Sequence, residues 1–153
     1  MYDIPIERGK IREFVRATKS KHPDYDTAAP VAFGPITRTD IVRYAGASGD
    51  FNPIHHDEGF ARSAGFPTVF SIGMYQAALL ATFATDWLGP RNVRRYNVRF
   101  REQVWPDDTL TCTGTVTNVE LTDGGHLVEV ELICTRQTGG VAIAGAATFL
   151  LPS

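Results

Sequence analysis

The sequence predicts an α+β fold in which an antiparallel sheet packs on one long helix. The first observation is an apolar helical pattern over 71–88, which Gly89 and Pro90 end. The second is a series of alternating, strand-like segments that follows this helix. The third is a pair of glycine-rich turns between those segments, Asp123-Gly124-Gly125 and Thr138-Gly139-Gly140.

Length and composition indicate one globular domain with its own core, since the chain has 153 residues and a formal net charge of −2. No basic block is long enough to indicate nucleic-acid binding, and no apolar run approaches the length of a membrane span. The N-terminal segment is too charged for a secretory signal, so we expect a cytoplasmic protein. Cys112 and Cys134 lack the spacing of a zinc site and are expected as reduced thiols in the core. We expect neither a metal nor a cofactor.

Residues 1–30 form a basic, amphipathic N-terminal extension, and we place the main domain at 31–153. The extension matches residues 36–57 weakly when the two are aligned at an offset of 30. This match is compatible with a remnant of a second, inactive copy of the domain. Two similar amphipathic helices would explain it as well.

The first half of the main domain contains short elements. Residues 30–35 fit a linker or a first strand. A helix is predicted to begin at Thr37, because Asp40 follows at capping-box spacing. A second, short helix is expected from a cap at Asp57 through Arg62.

The helix over 71–88 is apolar on nearly its full circumference and must therefore be covered by other structure. It is too short and too interrupted by polar residues to span a membrane. Folding of the strands about the first glycine-rich turn brings Cys112 near Cys134. The predicted strands cover 93–104, 109–121, 126–136 and 141–151.

The loop over 47–57 carries an acid and an imidazole, Asp50 and His55, which general acid–base chemistry requires. Gly49 lets the backbone turn sharply before the acid. Pro53 fixes its own φ angle and favours an extended Asn52, which restricts the distance between acid and imidazole. The alternative is an Asx-turn that caps the next helix, with an incidental surface histidine.

The string Gly49-Asp50-x-Asn52-Pro53-Ile54-His55 resembles the signature of the MaoC-like (R)-specific enoyl-thioester hydratases and dehydratases. A second string is particularly similar to the B-type catalytic subunit of the heterodimeric (3R)-hydroxyacyl carrier-protein dehydratases. It reads Tyr96-Asn97-Val98-Arg99-Phe100, followed by Val104-x-Pro106-x-Asp108-Thr109-Leu110. That family often has glycine where this chain has Asp107. The resemblance implies a hot dog fold over 31–153.

The resemblance also implies a mechanism. Asp50 and His55 would hold a water molecule, with His55 as the base and Asp50 orienting the water and relaying a proton. Gly73, at the start of the long helix, would offer its backbone N–H to the thioester oxygen. Asn52 is expected to shape the loop. Family members usually have Ala-His-Gly-Met here, whereas this chain has Ser71-Ile72-Gly73-Met74.

The implied substrate is an acyl-CoA or acyl-carrier-protein thioester. Two other functions stay open at this point: a hot dog thioesterase, and a non-catalytic acyl-binding subunit of a heteromeric dehydratase. One small sheet can cover only one side of the long apolar helix. We therefore expect a homodimer, or a heterodimer with a related hot dog subunit.

Overall fold

The computed structural model describes residues 27–152. The predicted extension over 1–30 falls almost wholly outside the described residues and stays a prediction. Three α-helices and five strands lie within the described part of the chain. In chain order they are β1 (Val31–Phe33), α1 (Arg38–Ser48), α2 (Glu58–Ser63), α3 (Gly73–Leu88), β2 (Val93–Phe100), β3 (Leu110–Thr122), β4 (Gly125–Arg136) and β5 (Val141–Leu151).

The strands form one five-stranded antiparallel sheet in the order β1-β3-β4-β5-β2. Thr122 pairs with Gly125, so a two-residue turn joins β3 to β4, as the glycine-rich sequence predicted. Cys112 on β3 lies opposite Cys134 on β4, and both side chains are fully buried. The predicted α+β class and the core position of the two cysteines are confirmed.

Helix α3 packs one face against this sheet. Gly114 on β3 allows the close approach, since a β-carbon there would lie 2.8 Å from the ring of Trp87. The opposite face is open in the described chain, where Met74 is 56% exposed and Ala78 is exposed. No helix within residues 27–152 is long and apolar enough to cross a membrane. The face on the sheet buries Gln76, Ala77, Leu80, Phe83, Ala84 and Leu88.

The prediction of a strand over 93–104 is wrong at its C-terminal end, because β2 ends at Phe100. The Arg101 N–H still donates to the Ala142 carbonyl at 2.9 Å, after which the chain leaves the sheet. Val104 is buried although it lies outside the strand, and its carbonyl accepts from the Ser71 N–H at 2.7 Å beside the start of α3. Helix α3 itself begins at Gly73, two residues inside the predicted pattern.

Candidate active site

Helix α1 delivers the candidate loop. Its N-terminus carries the predicted capping box: the Asp40 N–H donates to Thr37 Oγ1 at 3.1 Å, and the Thr37 N–H donates to Asp40 Oδ2 at 2.9 Å. Its C-terminus is Gly49, whose φ of 75° lies in the left-handed region that glycine tolerates. The Gly49 N–H donates to the Ala45 carbonyl at 2.9 Å. The chain therefore leaves the helix immediately before Asp50.

Short-range hydrogen bonds define the loop after α1. The Asn52 N–H donates to Asp50 Oδ1 at 3.2 Å, and Asn52 Oδ1 accepts from the Ile54 N–H at 3.1 Å. The Asn52 carbonyl accepts from the His55 N–H at 3.1 Å. Pro53 occupies the first position of a 3₁₀ turn over Pro53–His55, where its missing N–H costs nothing. Asn52 thus ties the acid to the turn that carries the imidazole.

The loop brings Asp50 and His55 together. Asp50 Oδ2 lies 4.0 Å from His55 Nε2. This separation is too long for a direct hydrogen bond, and a water molecule can bond to both atoms. The His55 side chain is only 10% exposed, whereas the Asp50 side chain is 43% exposed. The imidazole is therefore held in place, and the carboxylate is open to solvent or a ligand.

The other ring nitrogen of His55 has a backbone partner. His55 Nδ1 lies 2.8 Å from the carbonyl oxygen of Phe70. A carbonyl can only accept, so Nδ1 carries the proton and the neutral ring keeps its lone pair on Nε2, towards Asp50. The Phe70 ring meets the imidazole edge to face, with 5.2 Å between centroids. No sequence signal marks Phe70, because any residue type supplies a carbonyl.

A cavity of about 320 Å³ opens beside Phe70, at the start of α3. Gly73 lines this cavity, but Asp50 and His55 do not. Phe70 connects the Asp50–His55 pair to the cavity, because its carbonyl bonds to His55 and the residue forms part of the cavity wall. The remaining walls come from Ser71, Gln76, Phe100, Arg101, Glu102, Gln103, Val104, Ala142 and Ile143.

The start of α3 has an uncapped N-terminus. Ile72 stands at the cap position and offers no side-chain acceptor, and the first-turn N–H groups of a helix have no intrahelical partner. The buried Gln76 amide donates to the Gly73 carbonyl at 3.0 Å and to the Ile72 carbonyl, and it accepts from Ser71 Oγ at 2.8 Å, so it does not bond to the Gly73 N–H. The Gly73 N–H is thus available at a point of partial positive charge.

A second group of polar contacts fixes the segments around the loop. The Asp57 side chain caps α2 by accepting from the Phe60 N–H at 2.9 Å, as predicted. Glu58 accepts hydrogen bonds from Arg38 on α1 and from Thr68 Oγ1, the latter at 2.6 Å. Thr68 is two residues before Phe70 in the sequence, so this contact links the segment that carries Phe70 to α1. Hydrogen bonds from Thr68 and Arg38 hold the pKa of Glu58 below its ordinary value. Among the described residues, no three His, Cys, Asp or Glu side chains converge as a metal site.

Solved structures share this architecture. A chain of the ChsH1-ChsH2 complex from Mycobacterium tuberculosis aligns with a TM-score of 0.71 and 25% identity, over 82% of this chain and 94% of that chain. The unliganded R-hydratase PhaJ1 from Pseudomonas aeruginosa aligns with a TM-score of 0.71 and 26% identity, over 82% of this chain and 79% of that chain. The chain is therefore an α+β domain of the hot dog fold.

The sequence comparisons define the family within that fold. Residues 17–138 match the MaoC like domain. The (R)-specific enoyl-CoA hydratase of Rhodospirillum rubrum is 34% identical over 120 residues, which is 77% of this chain and 81% of that protein. The 3-hydroxyacyl-thioester dehydratase X of Mycobacterium tuberculosis is 43% identical over 75 residues, which is 49% of this chain and only 26% of that protein.

The chain belongs to the MaoC-like dehydratase domain family. Membership supports hydration or dehydration of enoyl and hydroxyacyl thioesters as its class of reaction.

Proposed function

We propose that the chain catalyses the reversible hydration of an enoyl thioester to a (3R)-hydroxyacyl thioester, carried on coenzyme A or an acyl carrier protein. The observation that carries this proposal is the state of His55. Its Nδ1 proton is committed to the Phe70 carbonyl, and its Nε2 lone pair lies 4.0 Å from Asp50 Oδ2. This is the geometry of a base and a carboxylate that share one water molecule.

In the hydration direction, the water bonded to Asp50 and His55 is the nucleophile. His55 Nε2 takes one proton from the water as its oxygen bonds to the β-carbon of the enoyl group. The second O–H of the water donates to Asp50 Oδ2, which orients the water. The proton that His55 has taken then passes through Asp50 to the α-carbon, so both groups return to their starting state. The hydroxyl and the proton added to the substrate are together one molecule of water, so no further reactant is needed.

Addition to the β-carbon pushes charge onto the thioester oxygen. We assign the stabilisation of this charge to the Gly73 N–H at the uncapped start of α3, which lines the cavity next to Phe70. Removal of one such donor costs roughly 3–4 kcal/mol of transition-state stabilisation in other enzymes. The acyl group would then lie in the cavity, against Val104 and Ile143.

The direct test is incubation of the purified chain with crotonyl-CoA. We expect the absorbance of the conjugated thioester to fall and 3-hydroxybutyryl-CoA to form, with the R enantiomer found by chiral chromatography. The Asp50→Asn/His55→Ala double variant is the matched negative control. A folded wild-type chain that yields the S enantiomer contradicts the proposal.

The same incubation with crotonyl-CoA distinguishes the hydratase from two other functions. A hot dog thioesterase would release free thiol from crotonyl-CoA, which a thiol reagent detects. A non-catalytic acyl-binding subunit would bind the thioester but leave it unchanged. The paired Asp50 and His55, with the tautomer of His55 fixed, favour the hydratase over both.

We further propose that the chain works as a dimer, either with itself or with a related hot dog subunit. Three large apolar side chains near the candidate site are open in the described chain: Phe51 is 66%, Met74 is 56% and Phe100 is 54% exposed. Strand β2 pairs with β5 and forms one edge of the sheet among residues 27–152. A second subunit would cover this apolar area, which soluble monomers seldom expose.

Light scattering at micromolar concentration tests this second proposal. We expect the mass of two chains, and the same sample should hydrate crotonyl-CoA. A stable, active monomer would overturn the dimer proposal. An inactive or aggregating chain that becomes active with a co-expressed relative would favour the heterodimer.

A further inference from the structure

The loop between β2 and β3, residues 101–109, folds around one buried carboxylate. Asp108 is 4% exposed. Its Oδ2 accepts from the Trp105 N–H at 2.8 Å and from Arg136 Nε at 2.7 Å, and its Oδ1 accepts from Gln137 Nε2 at 2.8 Å. A buried charge is tolerated only when it is paired and hydrogen-bonded, so these contacts fix the loop against the end of β4.

The other side of this loop contacts the candidate site. The Val104 carbonyl accepts from the Ser71 N–H at 2.7 Å. The next residue, Trp105, packs its ring against the ring of Phe70, with 5.8 Å between centroids. Val104 and Ser71 are both buried, so the hydrogen bond between them is shielded from water.

One peptide group joins the loop to the catalytic histidine. The Phe70 carbonyl, which accepts from His55 Nδ1, and the Ser71 N–H, which donates to Val104, belong to the same planar unit. In a trans peptide these two groups point in opposite directions. The hydrogen bond to Val104 therefore sets the plane of this peptide, and with it the direction in which the carbonyl meets His55.

We infer that Asp108 and Arg136 are positioning residues for His55. The two side chains fix the loop over 101–109, and this loop fixes the Phe70–Ser71 peptide through the Val104 carbonyl. The Phe70 carbonyl then keeps the proton of His55 on Nδ1 and its lone pair on Nε2. Neither residue touches the reacting atoms. The inference rests on the proposed function in one respect, because it takes His55 to be the base.

The test combines imidazole ¹⁵N NMR with kinetics in the variants Asp108→Asn and Arg136→Gln. The His55 signals are assigned by their loss in His55→Gln. In the wild type we expect a protonated Nδ1 and an unprotonated Nε2 for the neutral ring. In both variants we expect a mixture of tautomers and a fall in kcat for crotonyl-CoA of about 10- to 100-fold, the loss that a small misplacement of a reacting group causes.

Val128→Ala is the matched control for lost stability. Val128 is fully buried on β4 and takes no part in the hydrogen bonds that link Asp108 to His55. Its truncation should therefore lower the melting temperature and leave kcat and the His55 tautomer unchanged. If Asp108→Asn does not fold, Arg136→Lys keeps the charge but not the two-point contact, and the same two readouts apply. Folded variants with an unchanged His55 tautomer and unchanged kcat would overturn the inference, as would equal changes in Val128→Ala. An inactive wild type would reject the proposed function instead, since the NMR readout does not depend on turnover.

Discussion

Asp50 and His55 differ in how firmly the protein holds them, and this difference fits the separate tasks that we propose for them. The His55 ring is almost buried and is fixed by the Phe70 carbonyl and ring. Asp50 is bonded at Oδ1 by the Asn52 N–H, which leaves Oδ2 free towards the imidazole. A fixed tautomer suits a base, and an accessible oxygen suits a group that orients water and passes on a proton.

The first prediction concerns this pair. Asp50→Asn and His55→Ala should each lower kcat for crotonyl-CoA by about 10²- to 10⁴-fold, the usual contribution of a general acid or base. Steady-state kinetics on folded variants measures the loss. His56→Ala is the matched control, because His56 is the exposed neighbour of His55 and should leave the rate unchanged. A near-normal rate in either Asp50→Asn or His55→Ala would reject the assignment.

The second prediction concerns Gly73. A β-carbon at this position would lie 3.0 Å from the ring of Phe100, so Gly73→Ala must displace that ring or the helix start. We expect kcat/KM to fall by up to about 10²-fold as the N–H is misplaced. Because Phe100 is half exposed and can be shortened, Gly73→Ala/Phe100→Leu should recover part of the loss in a double-mutant cycle. A double variant as slow as Gly73→Ala would show that Phe100 is not the reason for the glycine.

Sequence reasoning at the residue scale found groups that are chemically distinctive and missed groups that are not. Asp50 and His55 place an acid and an imidazole on one loop rich in Gly, Asn and Pro, so the sequence could single them out. The Phe70 carbonyl could not, because every residue has one. Asp107 shows an intermediate case: its φ of 72° lies in the left-handed region, which favours glycine, and the sequence alone does not show this backbone conformation.

At the scale of elements, helix α1 links a capping signal to the site. Its N-terminal capping box and its left-handed C-terminal Gly49 fix both ends of the helix, so Asp50 leaves it at a defined position. The cap gives hydrogen-bond acceptors to backbone N–H groups that have no partner within the helix. Stability at the start of α1 therefore affects the place of the acid at its end.

The third prediction follows from this cap. Thr37→Ala should lower the free energy of unfolding by about 0.5–2 kcal/mol, because it removes the acceptor for the Asp40 N–H. Urea denaturation measures the change. The control is Thr39→Ala, which lies on the exposed side of the same helix and should leave stability unchanged or slightly raise it. Equal losses in the two variants would contradict a role for the cap.

Elements were predictable where the deciding signal is local. The capping box of α1 spans four residues, and the turn between β3 and β4 spans two, so both could be predicted from short strings. The end of β2 could not, because residues after Phe100 leave the sheet to meet Ser71, about thirty positions earlier in the chain. Asp108 and Arg136 are likewise far apart in sequence, and nothing local marks them as partners.

At the scale of the whole molecule, Asp108 couples the fold to pH. Burial acts to raise its pKa, but hydrogen bonds from Arg136, the Trp105 N–H and Gln137 outweigh burial, and the pKa lies below its ordinary value. A carboxyl whose pKa is lowered by folding stabilises the folded state above its unfolded pKa. That contribution is lost as the pH falls through the folded value.

The fourth prediction is that this loss appears below about pH 4, the usual pKa of an unfolded aspartate. The melting temperature of the wild type should fall more steeply between about pH 4 and pH 2 than that of Asp108→Asn, which has no such proton to bind. Calorimetry across this range gives the comparison. Asp86→Asn removes an exposed carboxylate from α3 and should keep the wild-type slope. Identical slopes for all three proteins would contradict the prediction.

The order of strands in the sheet also bears on how the chain folds. Strands β3, β4 and β5 are consecutive in sequence and adjacent in space, whereas the segment that contains Asp50, His55 and Gly73 runs between the two edge strands, β1 and β2. Pairing of neighbours in sequence closes only short loops, so this three-stranded unit costs the least chain entropy to form. The segment with the reactive groups can then dock onto a sheet that already exists. The three-stranded unit and the segment with Asp50, His55 and Gly73 thus occupy different stretches of one short chain, and Leu80 and Phe83 of α3 join the second stretch to the core of the first.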